Sequence, residues 1–256
     1  MNLEDKVVIV TGGGSGIGAA MARRFTDENP KALIVADLDG DSASRVGAEV
    51  GGQALEVDIS SESANRELID QVERSHGPID LFCANAGFGH AGDEQNPAAD
   101  WDRMWQVNLM SQVHAAKWLI PGWVARGEGY FLSTASAAGL LTNLKAAQYS
   151  VTKHAAVAFA EWLAITYGDA GVKVSCLCPM GVRTPFLDSA KEFHELLDPV
   201  AISAEAVADK VVAGLASEQF LILPHPEVEQ FFQNKANDYD RWIGGMRSLQ
   251  RRVFTN

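Results

Sequence analysis

The chain has 256 residues, 47% of them hydrophobic, and carries a net charge of −12 from 21 Lys and Arg against 33 Asp and Glu. That length suits one large domain, and the apolar fraction supports a sizeable core, so disordered and fibrous classes are excluded. The acidic balance opposes nucleic acid and anionic membranes, and no apolar run approaches the roughly 18 residues of a membrane span, so neither partner is expected.

Short β-branched runs recur at residues 7–10, 32–36, 53–57, 80–84, 129–132, 173–177 and 220–223, with helical patterns between them. Runs that are apolar throughout, without polar alternation, are expected of strands covered on both faces. The reading is an α/β fold, a doubly wound, Rossmann-like sheet of seven parallel strands with helices on both faces, in a single domain over 1–256. Cys83, Cys176 and Cys178 all lie in apolar runs, where free thiols act as small core hydrophobes. No metal site is expected from them, and the cysteine usage together with an N-terminal stretch lacking an export pattern implies a cytoplasmic location.

The first strand leads into Thr11-Gly12-Gly13-Gly14-Ser15-Gly16-Ile17-Gly18-Ala19, followed by helix-compatible Ala20 to Phe25. A Gly-rich turn there lets backbone approach a pyrophosphate, whose charge is met by free N–H groups and the positive end of the helix dipole. The strict G-x-G-x-x-G spacing fails in every register, although Gly14-x-Gly16-x-x-Ala19 fits the looser form ending in Ala. Nineteen residues past Gly18 the second strand ends at Asp37, whose carboxylate can accept from both adenosine ribose hydroxyls and would repel a 2′-phosphate. No Arg or Lys stands beside it in the sequence, so NAD is favoured over NADP; the competing reading is a solvated turn acid. Asp58, after the third strand, either meets the adenine amino group or caps the helix beginning at Ser60-Ser61.

Ser136 follows the fifth strand, and thirteen residues later comes Tyr149-Ser150-Val151-Thr152-Lys153. The i, i+4 spacing of Tyr149 and Lys153 puts phenol and ammonium on one helix face. A cation beside a tyrosine favours the phenolate and draws its pKa toward the working pH, as an acid/base requires, while the bland alternative is a surface pair.

Taken in order, Thr11-Gly12-x-x-x-Gly16-x-Gly18, Asp58, Asn85-Ala86-Gly87, Asn108, Ser136 and Tyr149-x-x-x-Lys153 resemble the short-chain dehydrogenase/reductase family over essentially the full chain. The resemblance implies Tyr149 as acid/base and Ser136 as the group that orients the substrate oxygen. It implies Lys153 on the nicotinamide ribose and Asn108 anchoring a water relay to Lys153. Cofactor contacts would then come from Gly12, Ser15, Gly16, Ile17, Gly18, Asp37, Asp58, Ile59, Asn85, Ala86, Gly87, Tyr149, Lys153, Pro179, Val182 and Thr184. The chain departs from the family at Pro179-Met180-Gly181-Val182-Arg183-Thr184, where the glycine that usually follows the proline is displaced by one position.

The same resemblance places the substrate region at 185–204, together with the residues after Gly87 and Ser136. These supply Phe88, His90, Leu140, Leu141, Leu144, Met180, Phe186, Leu187 and Phe193, with no arginine cluster beyond Arg183, so a secondary alcohol or ketone on a hydrophobic skeleton is expected. His90 and His194 are read as solvated rather than catalytic. The helical run 155–165 is apolar nearly all round and predicts a homodimer or homotetramer. The extension 225–256 carries apolar residues at helical spacing, is expected to break near Gly244-Gly245, and should pack on the domain or across a subunit boundary. The reading is thus an NAD-dependent oxidoreductase; the alternatives are an idle cofactor-binding regulator and an NADP-linked carbonyl reductase.

Overall fold

A computed structural model describes residues 1–189 and 193–254, leaving the side chains of His194 and Glu195 outside the description along with 190–192 and the last two residues. All seven expected strands form: β1 (Val7–Thr11), β2 (Ala32–Asp37), β3 (Gln53–Glu56), β4 (Leu81–Ala84), β5 (Gly129–Thr134), β6 (Val172–Leu177) and, after a short pair described below, β9 (Leu221–Ile222). They make one sheet in the order β3-β2-β1-β4-β5-β6-β9, parallel throughout. The order reverses between β1 and β4, which opens a crevice at the carboxyl ends of those strands.

Strand alternation explains why these runs are apolar without interruption. Val7 and Ile9 point into one core, with Ile34, Phe82 and Phe131, while Val8 and Val10 point into another, with Leu33, Val35 and Leu81. Helices α1 (Gly16–Thr26), α2 (Gly40–Val50) and α10 (Ala204–Ala216) supply residues to the second core. The first is covered by α3 (Glu62–His76), α5 (Ser111–Arg126) and α7 (Ala147–Tyr167). Helix α4 (Ala98–Trp105) runs into α5 through a π-helical turn at Gln106–Met110. Cys83, Cys176 and Cys178 are free and buried. Among the described residues no helix is long and apolar enough to cross a membrane, and no group of three His, Cys, Asp or Glu could hold a metal.

The segments after β5 and after β6 hold features that strand periodicity did not announce. Two-residue strands β7 (Val182–Arg183) and β8 (Ile202–Ser203) pair in parallel, and the short helices α6 (Ala138–Leu141), α8 (Pro185–Ser189) and α9 (His194–Leu197) complete the rim of the crevice.

The C-terminal extension forms two helices, α11 (Glu227–Asn237) and α12 (Tyr239–Phe254), but the expected break near Gly244-Gly245 is not there. The chain breaks at Asp238, whose side chain accepts from the Arg241 N–H at 2.9 Å and so caps α12. A cap gives a positive reason to restart the helix there, whereas each of the two glycines costs only about 1 kcal/mol inside it. The extension is tied to the domain by fully buried Val228, by Trp242 packed on the first core, and by Lys235, whose Nζ donates to the Leu140 carbonyl at 2.6 Å. Deleting the chain from Val228 onward should therefore lower the melting temperature by at least about 3 °C in calorimetry. That estimate takes only the roughly 1.5–3 kcal/mol of the valine side chain and the shift of about 2–4 °C per kcal/mol for a chain of this size.

Candidate active site

One continuous cavity of about 1160 Å³ runs along the carboxyl ends of the strands. At its first end the β1–α1 turn places Gly12, Ser15, Gly16 and Ile17 on the lining. Gly12 has φ +63° and Gly16 φ +52°, left-handed conformations that favour glycine. A Cβ on Gly12 would also lie 2.8 Å from the Ala86 Cα. Gly18 does not reach the lining; it packs under the turn, where a Cβ would stand 2.0 Å from the Gly12 carbonyl oxygen. Ser15, at the N-cap of α1, makes no side-chain cap bond, and the first turn holds no acid. The first turn of α1 thus borders the cavity with no side-chain cap and no acid on it, an arrangement suited to an anion.

Asp37 lines the same end from the tip of β2, accepting from the Gly14 N–H at 2.9 Å and the Asp39 N–H at 3.1 Å. One expectation needs correcting here: a basic group does stand nearby. The Arg45 guanidinium, carried round by α2, donates to the Gly14 carbonyl at 3.1 Å and pairs with Glu49 at 3.2 Å. Asp58 and Ile59 also line the cavity. Between the two readings of Asp58, the cap belongs to Ser61, whose hydroxyl accepts from the Ala64 N–H, while Asp58 holds the Ser60 N–H and hydroxyl.

In mid-cavity, Asn85, Ala86 and Gly87 follow β4, with the Asn85 side chain donating to the Thr11 carbonyl at 3.0 Å. Opposite stand Ser136, Tyr149 and Lys153, all on the lining. The Lys153 Nζ donates to the Thr134 carbonyl at 2.9 Å and lies 5.7 Å from the centre of the Tyr149 ring. A Cβ on Gly87 would be 3.2 Å from that Nζ, and one on Gly89 would be 2.4 Å from the Tyr149 ring, so bare backbone lets both side chains close in. Burial brings the Lys153 pKa down to about 8. Burial also raises the Tyr149 pKa, with a hydrogen bond to Ser136 opposing it. The lowering expected from the neighbouring cation is therefore not the net effect here, because removing the phenol from water outweighs the opposing Ser136 hydrogen bond.

Asn108 is fully buried and does not line the cavity. Its amide holds the Phe88 backbone from both sides, accepting from the N–H at 3.0 Å and donating to the carbonyl at 2.9 Å, and also donates to the Thr152 hydroxyl. The Asn108 carbonyl accepts from the Gln112 Nε2 at 3.1 Å. This residue thus fixes the loop carrying Phe88, and its polar atoms have protein partners.

Pro179, Val182 and Thr184 line the cavity beyond Ser136, whereas Arg183 points out to solvent, as alternation along β7 requires. Of the expected substrate residues, Phe88, His90, Leu141, Met180, Phe186, Leu187 and Phe193 reach the lining, and Leu140 and Leu144 are buried behind it. The His90 Nδ1 lies 2.9 Å from the Ala91 carbonyl oxygen. One face of α12 roofs this chamber through Arg241, Trp242, Gly245, Met246, Leu249 and Arg252, at helical spacing. Arg103 also reaches the lining, its guanidinium 5.3 Å from the centre of the Phe88 ring. Three arginines thus reach the lining singly, from α4 and α12, far from 185–204 in sequence.

The family profile described as short chain dehydrogenase matches residues 6–195. The chain belongs to the short-chain dehydrogenase family. Across the wider chain, this short-chain dehydrogenase is 29% identical over 252 residues to 1-deoxy-11-beta-hydroxypentalenate dehydrogenase of Streptomyces exfoliatus, covering 95% of this chain and 91% of that protein. It is 29% identical over 222 residues to meso-2,3-butanediol dehydrogenase of Serratia marcescens, covering 84% and 88%. Its fold superposes with a TM-score of 0.87 on a short-chain dehydrogenase/reductase from Burkholderia phymatum in complex with NAD, at 26% identity and covering 94% of this chain and 96% of that one. This short-chain dehydrogenase is accordingly an oxidoreductase of a family that acts on alcohols and binds a nicotinamide cofactor.

Proposed function

We propose that the enzyme transfers hydride between NAD(H) and a secondary alcohol or ketone on a hydrophobic skeleton. The observation that carries this reading is one cavity lined at one end by the glycine turn and Asp37, in the middle by Ser136, Tyr149 and Lys153, and beyond them by an apolar chamber. The glycine turn, at the start of a helix with no side-chain cap and no acid in its first turn, fits a pyrophosphate. When bound, the nicotinamide supplies the hydride acceptor or donor.

The protein's own groups handle the proton. Tyr149 takes the hydroxyl proton when the alcohol is oxidised and returns it to the carbonyl oxygen in the reverse direction. Ser136 holds that oxygen in line with the phenol, and Lys153 holds the ribose hydroxyls beside it. Val182 and Thr184 meet the carboxamide, and the aromatic and aliphatic wall excludes water. Arg103, Arg241 and Arg252 line the chamber and would meet an anionic substituent on the substrate, and one relative is named for a hydroxy acid. Self-association as a homodimer or homotetramer fits the exposed face of α7, where Trp162 and Ile165 are 51% and 77% accessible.

NAD is preferred over NADP because Asp37 presents its charge to the cavity while Arg45 is engaged with Glu49 and stays off the lining. Asp37→Ala combined with Leu38→Arg should narrow or reverse the preference, Leu38 being an exposed lining residue. Parent protein that binds NADPH more tightly than NADH in a fluorescence titration would show that Arg45 outweighs Asp37. The function itself is tested by incubating the protein with NAD⁺ and a panel of apolar secondary alcohols, neutral and carboxylated, and following NADH absorbance. Absence of turnover across the panel in both directions would reject it.

A further inference from the structure

His225 stands outside every motif of the family pattern, between β9 and α11, in Pro224-His225-Pro226. Only 2% of it is accessible, and the two prolines restrict its backbone. Its Nδ1 lies 3.2 Å from the Met180 amide nitrogen, and its Nε2 lies 3.1 Å from the Gly181 carbonyl oxygen. An amide can only donate, so Nδ1 is the acceptor; Nε2 then carries the ring proton and donates to the carbonyl. One neutral imidazole therefore spans consecutive backbone groups at the point where the chain departs from the family pattern.

The displaced glycine has a reason in the same place. A Cβ on Gly181 would stand 2.7 Å from the Leu197 carbonyl oxygen, so this position admits no side chain. The Gly181 carbonyl also accepts from the Ile202 N–H at 3.1 Å, which joins the histidine clasp to the β7–β8 pair. The next residue in the cavity is Val182, followed by Thr184, whose hydroxyl donates to the Val182 carbonyl at 3.1 Å.

We propose that His225 is a positioning residue for the nicotinamide end of the cofactor, holding Met180 and Gly181 so that Val182 and Thr184 keep their aim. This rests on the cofactor reading above. The adenosine contacts lie at the other end of the cavity, so the clasp should act on half of the dinucleotide.

The test compares NADH with ADP-ribose, which lacks the nicotinamide, in binding to the parent, His225→Phe and His225→Gln. The Phe variant loses both hydrogen bonds, each of modest net worth, and should bind NADH about tenfold more weakly, with ADP-ribose affinity held within about twofold. The Gln variant keeps an amide donor and acceptor and should fall between the two. Unchanged NADH affinity in the Phe variant overturns the proposal, and so does equal weakening of both ligands, which would mean general loosening. If the Phe variant fails to fold, the Gln variant carries the same comparison, and parental affinity for NADH combined with parental kcat overturns it. A parent that binds NADH no better than ADP-ribose overturns the cofactor reading beneath it as well.

Discussion

Tyr149→Phe should lower turnover by about 10²- to 10⁴-fold, the range expected when a general acid/base is lost, while NADH still binds. The substitution keeps the ring packed against Gly89 and against Phe186, whose ring centre is 5.9 Å away, and leaves the glycine turn untouched. What disappears is the one hydroxyl beside Ser136 that can exchange a proton with the substrate oxygen. Because burial raises the tyrosine pKa, the phenol stays protonated at neutral pH, the form that donates to a carbonyl. In the parent, ketone reduction should therefore hold up toward neutral and lower pH, and alcohol oxidation should accelerate as the pH rises. Near-parental turnover by the Phe variant on a substrate the parent oxidises would remove Tyr149 from the mechanism.

Lys153→Met should separate stability from activity. The folded-state pKa of about 8 lies below the ordinary 10.5, so the charged form is penalised by burial. Below about pH 8 both folded and unfolded chains carry the proton and the penalty is fully present. Between about 8 and 10.5 the folded chain releases the proton that the unfolded chain keeps, and the penalty is relieved. The gap corresponds to about 3 kcal/mol as a ceiling. The Thr134 carbonyl would lose its donor, which costs about 1–2 kcal/mol. A net gain of about 1–2 kcal/mol remains, so at pH 7 the Met variant should melt about 2–8 °C higher. That advantage should shrink as the pH approaches 10. Cofactor affinity and turnover should both fall, because the ammonium is then missing from the ribose and from beside the phenol. A Met variant that melts lower at pH 7 and still binds NADH as the parent does would contradict this account on both counts.

Much of this molecule was legible from local pattern. The strands could be read because the sheet is covered on both faces: Val7 and Ile9 serve one core and Val8 and Val10 the other, so the whole run had to be apolar. The glycine turn was legible because left-handed φ at Gly12 and Gly16 restricts the residue type, and Tyr149 and Lys153 because four residues are about one helical turn. Asn108 was visible only as a motif residue; its engagement with the Phe88 backbone could not be read from spacing.

What the sequence determined by itself, then, is the layered α/β fold, the glycine turn at the first crossover and the tyrosine–lysine pair, each set by φ/ψ preference or by the period of one element. Only the tertiary structure brought Arg45 to the Gly14 carbonyl, His225 to Met180 and Gly181, and Lys235 to the Leu140 carbonyl. It also laid α12 over the substrate chamber. These contacts span 31 to 95 residues of sequence for the named pairs. Hydrophobic periodicity says which face of an element is buried but not what that face meets. The partner is settled only when the helices close over the sheet and buried polar groups take whatever donors and acceptors the packing brings within reach.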